Sequence, residues 1–239
     1  MVTSTMPGPI ESGGAPGPSG LAGSVHVQQG VVFSDLAYRG FILDFGGVLT
    51  TRMRRNGEAF ERSEGLACCA YFAALGHPDG VRVYADLEVG RATQEDWNRV
   101  IGGILGIDPT DLMRRALANL RPEAAIVAAA QRAREAGIKV AMLSNSFGLT
   151  PYNPYKELGL YDGFDAVILS EREGVRKPSP LIYERTLEAL GLAGPECVFV
   201  DDHAENLPPA AALGIKTIHH TDADVTAEQL DALLGEYAA

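Results

Sequence analysis

Apolar positions along this chain fall into two rhythms: short, mainly apolar runs, and longer stretches with helical spacing. The short runs are Gly40–Leu43, Ile138–Leu143, Phe164–Leu169, Cys197–Val200 and Ile215–Ile218, each of a length suited to a buried strand. Between the later runs the pattern turns helical. Pro122–Ala136 is amphipathic and stops at Gly137, and a short helix is expected around Tyr155–Leu158. Ser179-Pro180 opens a helix that runs to Leu190, and Asn206–Leu213 forms another that stops at Gly214. Thr226-Ala227-Glu228-Gln229 reads as the capping box of a terminal helix. Alternating strands and helices predict a parallel sheet with right-handed crossovers and helices on both faces.

The stretch between the first two strands carries helical spacing and no strand pattern. Thr51–Gly57 reads as a basic, polar loop, and Glu58–Leu75 as one helix with an Ala/Phe/Leu face. Val81–Leu87 forms a second helix, closed by Gly90. Thr93 caps a third, ahead of Trp97, Val100, Ile101 and Ile104, and Asp108-Pro109 starts a fourth with Leu112, Ala116 and Leu120. The fold class is therefore α/β. A parallel-sheet, Rossmann-like three-layer core over 37–56 and 121–239 carries an inserted small all-helical cap over 57–120. Residues 1–36 are rich in Gly, Pro and Ser, lack apolar periodicity, and are expected to form a disordered leader.

Composition narrows the function. The chain has 239 residues, 46% hydrophobic and 21% charged, with a formal net charge of -11. Such an acidic balance argues against nucleic acid or an anionic membrane as the main partner. The three cysteines, Cys68, Cys69 and Cys197, show no metal-binding or paired spacing, which fits a reduced, cytoplasmic protein. Neither a secretion signal nor an apolar run of membrane-spanning length is present in the sequence. A monomer or homodimer is expected.

The candidate chemistry sits at the strand ends. The first strand closes in Asp44 followed by Gly46 and Gly47, the second in Ser144-Asn145, and the fourth in Asp201-Asp202. Lys177 follows the third strand, in a chain where Lys occurs only at 139, 156, 177 and 216. Ligands of open parallel sheets sit beyond the carboxyl ends of the strands. Three converging carboxylates repel one another and call for a divalent cation, and all-oxygen ligation suits Mg²⁺. Lys177, the Ser144 hydroxyl and the backbone N–H that follows it can donate to phosphate oxygens. A carboxylate can also attack phosphorus and divide phosphoryl transfer into two steps.

Taken together, Asp44-Phe45-Gly46-Gly47-Val48-Leu49, Leu143-Ser144-Asn145, Lys177-Pro178-Ser179-Pro180 with Tyr183, and Val200-Asp201-Asp202 with Asn206 and Gly214 resemble the haloacid dehalogenase-like hydrolases. The segment Leu87–Arg91 through Trp97 is similar to the cap of the helical-cap members. The resemblance implies a Mg²⁺-dependent phosphatase acting on a small phosphorylated metabolite, with sugar phosphates among the options. It makes Asp44 the nucleophile and has Ser144 and Lys177 hold the phosphoryl group. Asp44, Asp202 and the Gly46 carbonyl bind Mg²⁺, supported by Asp201 directly or through water. Gly46, Gly47, Asn145 and Arg52 complete the expected phosphate-binding set.

One position departs from the family pattern. Most of its phosphatases carry a second Asp where this chain has Gly46, so the general acid/base is missing. That loss motivates two alternatives: a catalytically weak phosphate-ligand binding or regulatory protein, or a 2-haloacid dehalogenase. Arg52, Arg54 and Arg55 either reach an anionic substrate or form a solvated face. His203 reads as a surface residue, His219-His220 as structural and Trp97 as packing within the cap.

Overall fold

The five apolar runs become five parallel strands of one sheet in the computed structural model, which describes residues 38–235. They are β1 (Gly40–Asp44), β2 (Lys139–Ser144), β3 (Ala166–Leu169), β4 (Cys197–Asp201) and β5 (Lys216–His219). The leader expected over 1–36 lies outside the described residues. Parallel strands are stable when both faces are covered, and β1 shows how. Phe41 and Leu43 enter one hydrophobic cluster, Ile42 enters the other, and none of the three is exposed.

The strand order is β3-β2-β1-β4-β5, so the chain moves outward from β1 on one side and then returns to the other. The crevice created by that reversal lies at the carboxyl ends of β1 and β4. Register aligns Leu43 with Val200, which sets the next residues, Asp44 and Asp201, side by side at its floor.

Between β1 and β2 lie α1 (Met53–Ser63), α2 (Ala70–Gly76), α3 (Pro78–Glu88), α4 (Gln94–Leu105) and α5 (Leu112–Ala116). The chain enters and leaves this helical insert through two adjacent segments. The Thr51 N–H donates to the Arg121 carbonyl at 2.8 Å, and the Glu123 N–H to the Leu49 carbonyl at 2.9 Å. The insert differs from the sequence expectation in three places. Helix begins at Met53, within the stretch expected to be a loop. The single helix expected over Glu58–Leu75 is two, because Gly65 and Cys69 adopt φ of 66° and 67° and the buried Glu61 carboxylate caps the restart. It accepts the N–H groups of Cys69 at 3.0 Å and Tyr71 at 2.9 Å. The helix expected from Asp108 starts only at Leu112, since the Asp108 carboxylate closes a turn onto the Thr110 N–H at 2.9 Å. α4 begins as expected, with Thr93 and Asp96 exchanging capping bonds.

The remaining helices are α6 (Ala124–Glu135), α7 (Pro154–Glu157), α8 (Ser170–Glu173), α9 (Pro180–Leu190), α10 (Leu207–Ala212) and α11 (Ala223–Gly235). α6 and α11 cover one face of the sheet through Ile126, Ala129, Ala133, Ala227 and Leu230, and α9 and α10 cover the other through Ile182, Tyr183 and Ala210. The expected capping box at Thr226 is absent. Asp222 caps α11 instead, accepting the Asp224 and Val225 N–H groups at 3.1 Å. Thr226 lies inside the helix, with its hydroxyl 2.9 Å from His220 Nδ1.

Candidate active site

Lys177 is the hub of the site. It is delivered by the loop between α8 and α9, and its ammonium is 2% exposed. Nζ contacts Asp44 Oδ1, donates to Asp201 Oδ2 at 2.6 Å, and reaches the Leu143 carbonyl at 3.3 Å. Burial alone would lower the Lys177 pKa; the two carboxylates outweigh it and hold the ammonium charged. For Asp44, burial dominates and pushes the carboxyl up to about 7, against the pull of Lys177 and with further repulsion from Asp201. One lysine therefore does not balance the carboxylates gathered around it.

The two acids that end β4 play different parts. Asp201 is fully buried and saturated with donors. Beyond Lys177, it accepts the His203 N–H at 2.8 Å and the Asn206 side chain at 3.0 and 3.1 Å. Asp202 is partly exposed, with Oδ1 2.7 Å from His203 Nδ1. That bond, ahead of the opposing effect of burial, raises the His203 pKa to about 9.

The turn after β1 brings Asp202 close to the nucleophile candidate. Gly47 adopts φ of 88°, and a Cβ on it would stand 2.5 Å from Asp202 Oδ2. Both the backbone conformation and this approach require glycine. The buried Thr50 braces the turn: its hydroxyl donates to the Phe45 carbonyl at 3.1 Å and accepts the Gly47 N–H at 3.3 Å. Among the described residues, Asp44 Oδ2 and Asp202 Oδ2 accept no hydrogen bond. Free carboxylate oxygens of this kind are the hard donors that Mg²⁺ takes. The excess of buried carboxylate charge is the feature such an ion would relieve. Asp201, already saturated, fits a supporting place better than a direct one.

Of the expected residues, Ser144 and Asn145 line the cavity with Asp44, Gly46 and Lys177, while Gly47, Arg52, Asp201 and Asp202 do not. The Ser144 hydroxyl lies 3.0 Å from the Tyr155 hydroxyl and donates to the Asn145 carbonyl at 3.1 Å. The Asn145 side chain clamps the lysine loop, accepting the Lys177 N–H at 2.9 Å and donating to the Lys177 carbonyl at 3.2 Å. Only its backbone is left to face a phosphate. Arg52 donates to the Thr221 carbonyl, beyond β5.

Above these groups, between the insert and the sheet, lies a cavity of about 430 Å³. The insert lines it with Met53, Tyr71, Phe72, Leu75, Trp97 and Met113, and the core adds Phe147. Polar residues on its wall that lay outside the expected site set include Tyr84, Glu88, Arg176 and Glu205. Glu88, at the end of α3, pairs with Arg176, and Glu205 stands beside Asn206. Burial raises the Glu88 pKa, opposed by Arg176. His203, expected at the surface, also lines the cavity. The Lys177-adjacent position of Arg176 was the one local signal available. Two buried contacts close the insert onto the core: Gln94 Nε2 donates to the Phe147 and Tyr152 carbonyls at 2.9 and 2.7 Å, and the Ser170 hydroxyl donates to the Glu88 carbonyl.

Comparison with known proteins bears on the family and the fold. A sesquiterpene phosphatase from Aspergillus oryzae is 28% identical over 165 residues, which cover 67% of this chain and 84% of that protein. The next curated relatives are matched over less than half of their own lengths. Among solved structures, a Bacteroides thetaiotaomicron HAD family enzyme in complex with magnesium and inorganic phosphate has a TM-score of 0.56 and 23% identity. That match covers 77% of this chain and 94% of the other. L-2-haloacid dehalogenase from Xanthobacter autotrophicus, with chloropropionic acid covalently bound, has a TM-score of 0.58 and 22% identity, covering 84% and 85%. At these identities the two structures speak for the fold. The model of the haloacid dehalogenase-like hydrolases matches residues 38–214, most of the chain. The chain belongs to the haloacid dehalogenase-like hydrolase family.

Proposed function

We propose that the chain is a Mg²⁺-dependent phosphatase that hydrolyses a small phosphorylated metabolite through a phosphoryl group carried on Asp44. The observation that carries this reading is the arrangement of Asp44: Oδ1 is held by Lys177, and Oδ2 is left without a protein partner at the floor of a cavity. In the first step Asp44 Oδ2 bonds to phosphorus while the bond to the alcohol oxygen breaks, and that oxygen leaves with a proton taken from solvent water. In the second, water bonds to phosphorus, the bond to Asp44 breaks, and the carboxylate is restored with release of inorganic phosphate. Lys177, fixed by Asp201, keeps its charge beside the transferred group, and the Ser144 hydroxyl and Asn145 N–H complete its cradle. Asp44, Asp202 and the Gly46 carbonyl would hold Mg²⁺, which would supply the counter-charge that lets carboxylates and phosphate approach.

The phosphatase relative and the neighbour bearing magnesium and phosphate support this reading. Three free cysteines fit a reducing compartment, which we take to be the cytosol. No helix among the described residues is long and apolar enough to cross a membrane. The test is release of phosphate from an aryl phosphate, with Mg²⁺ and with chelator, for the wild type and Asp44→Asn. Turnover that needs both Mg²⁺ and Asp44 is expected; turnover that survives either loss would overturn the proposal.

Gly46 favours a second reading, a 2-haloacid dehalogenase, because that chemistry needs no acid at this position. It predicts halide release that a chelator leaves unchanged. The paired acids Asp201 and Asp202 place it second.

A further inference from the structure

We infer that the organic part of the substrate is uncharged and largely apolar. The inference rests on the phosphatase proposal and deepens it. Met53, Phe72, Leu75, Trp97, Met113 and Phe147 line the cavity beyond the phosphoryl site, a largely apolar wall whose polar groups include Tyr71, Tyr84 and the Glu88–Arg176 pair. Ligand pockets of roughly 300–1,000 Å³ take small organic molecules, and the cavity of about 430 Å³ falls in that range.

Charge pairing excludes a second anionic group. Lys177 is engaged by Asp44 and Asp201, and Arg176 by Glu88. His203 is engaged by Asp202, and no unpaired cation lines the cavity among the described residues. A bisphosphate or a phosphorylated acid would bury its second charge without a partner. A sugar would strip its hydroxyls of water against aromatic and thioether walls.

The test is kcat/KM for phosphate release, with Mg²⁺, from decyl phosphate, glycerol 1-phosphate and glucose 6-phosphate. Decyl phosphate is expected to exceed the others by at least about 100-fold, since each accommodated methylene is worth roughly tenfold or more. Turnover of all three at similar rates would overturn the inference and leave the phosphatase proposal standing. If none is hydrolysed, the phosphatase proposal fails, and calorimetry on Asp44→Asn decides the cavity. Tighter binding of decyl phosphate than of glucose 6-phosphate supports an apolar site; equal binding overturns it.

Discussion

Lys177 Nζ donates to Asp201 Oδ2 at 2.6 Å, and both side chains are almost completely buried. Asp201 itself accepts three further bonds, so it serves as the fixed post to which the lysine is tied. Lys177→Met would leave Asp44 and Asp201 facing each other without their cation. Removing one partner of a buried pair costs about 3–5 kcal/mol. Urea unfolding of the chelated protein should show a loss of that order, together with loss of phosphate release; unchanged stability would mean the carboxylates are neutral in the folded chain.

Gly47→Ala tests the contact between the turn and Asp202. Its φ of 88° disfavours a side chain, and the new Cβ would meet Asp202 Oδ2 at 2.5 Å. A residue forced into the left-handed region costs about 1–2 kcal/mol. The sharper expectation concerns metal: displacing Asp202 should abolish most of the rise in melting temperature that Mg²⁺ gives the wild type. An unaltered Mg²⁺ response would remove Asp202 from the metal set.

Strand ends were legible in the sequence because a polar residue closing an apolar run is a local signal. Asp44, Ser144 and Asp201 needed only that signal and the β-α alternation to be placed at one edge. Other features depend on contacts between residues far apart in sequence. The approach of Arg176 to Glu88, the turning of Arg52 to Thr221, and the cavity wall from Met53 to Met113 have no local signature. Asn145 was legible as a strand-end residue, yet its side chain braces the Lys177 loop. Thr226 carried the right spacing for a cap, and Asp222, four residues earlier, took the role because it meets the first free N–H groups.

Gly46→Asp asks whether the missing acid limits the enzyme. A Cβ at Gly46 would lie 3.5 Å from Met53 Cγ and Sδ and 3.6 Å from Phe147, ordinary contact distances. The variant should fold, and the apolar neighbours should favour the protonated carboxyl. General acid help is worth about 10²–10⁴-fold, so alkyl phosphates should gain strongly and p-nitrophenyl phosphate, with its good leaving group, little. Equal effects on both would show that leaving-group protonation is not the limiting event.

Asp44 also sets a pH dependence in the metal-free protein. Burial, above all, raises its pKa from 3.8 to about 7. Between those values the folded chain holds a proton that the unfolded chain releases, so this contribution to stability is complete at acid pH and is lost as pH rises toward 7. Relative to Asp44→Asn, the chelated wild type should lose stability across that window, on the order of 1–4 kcal/mol. Saturating Mg²⁺, which favours the carboxylate, should narrow the gap. A stability difference independent of pH would contradict the assignment.

The central claim is that Asp44 carries the phosphoryl group, and acid-quenched mass spectrometry during turnover of decyl phosphate tests it most directly. With Mg²⁺, the wild-type peptide containing Asp44 should gain the mass of one phosphoryl group, and neither chelated protein nor Asp44→Asn should show it. Phosphate release by Asp44→Asn at the wild-type rate, or a phosphoryl group found on another residue, would contradict the account.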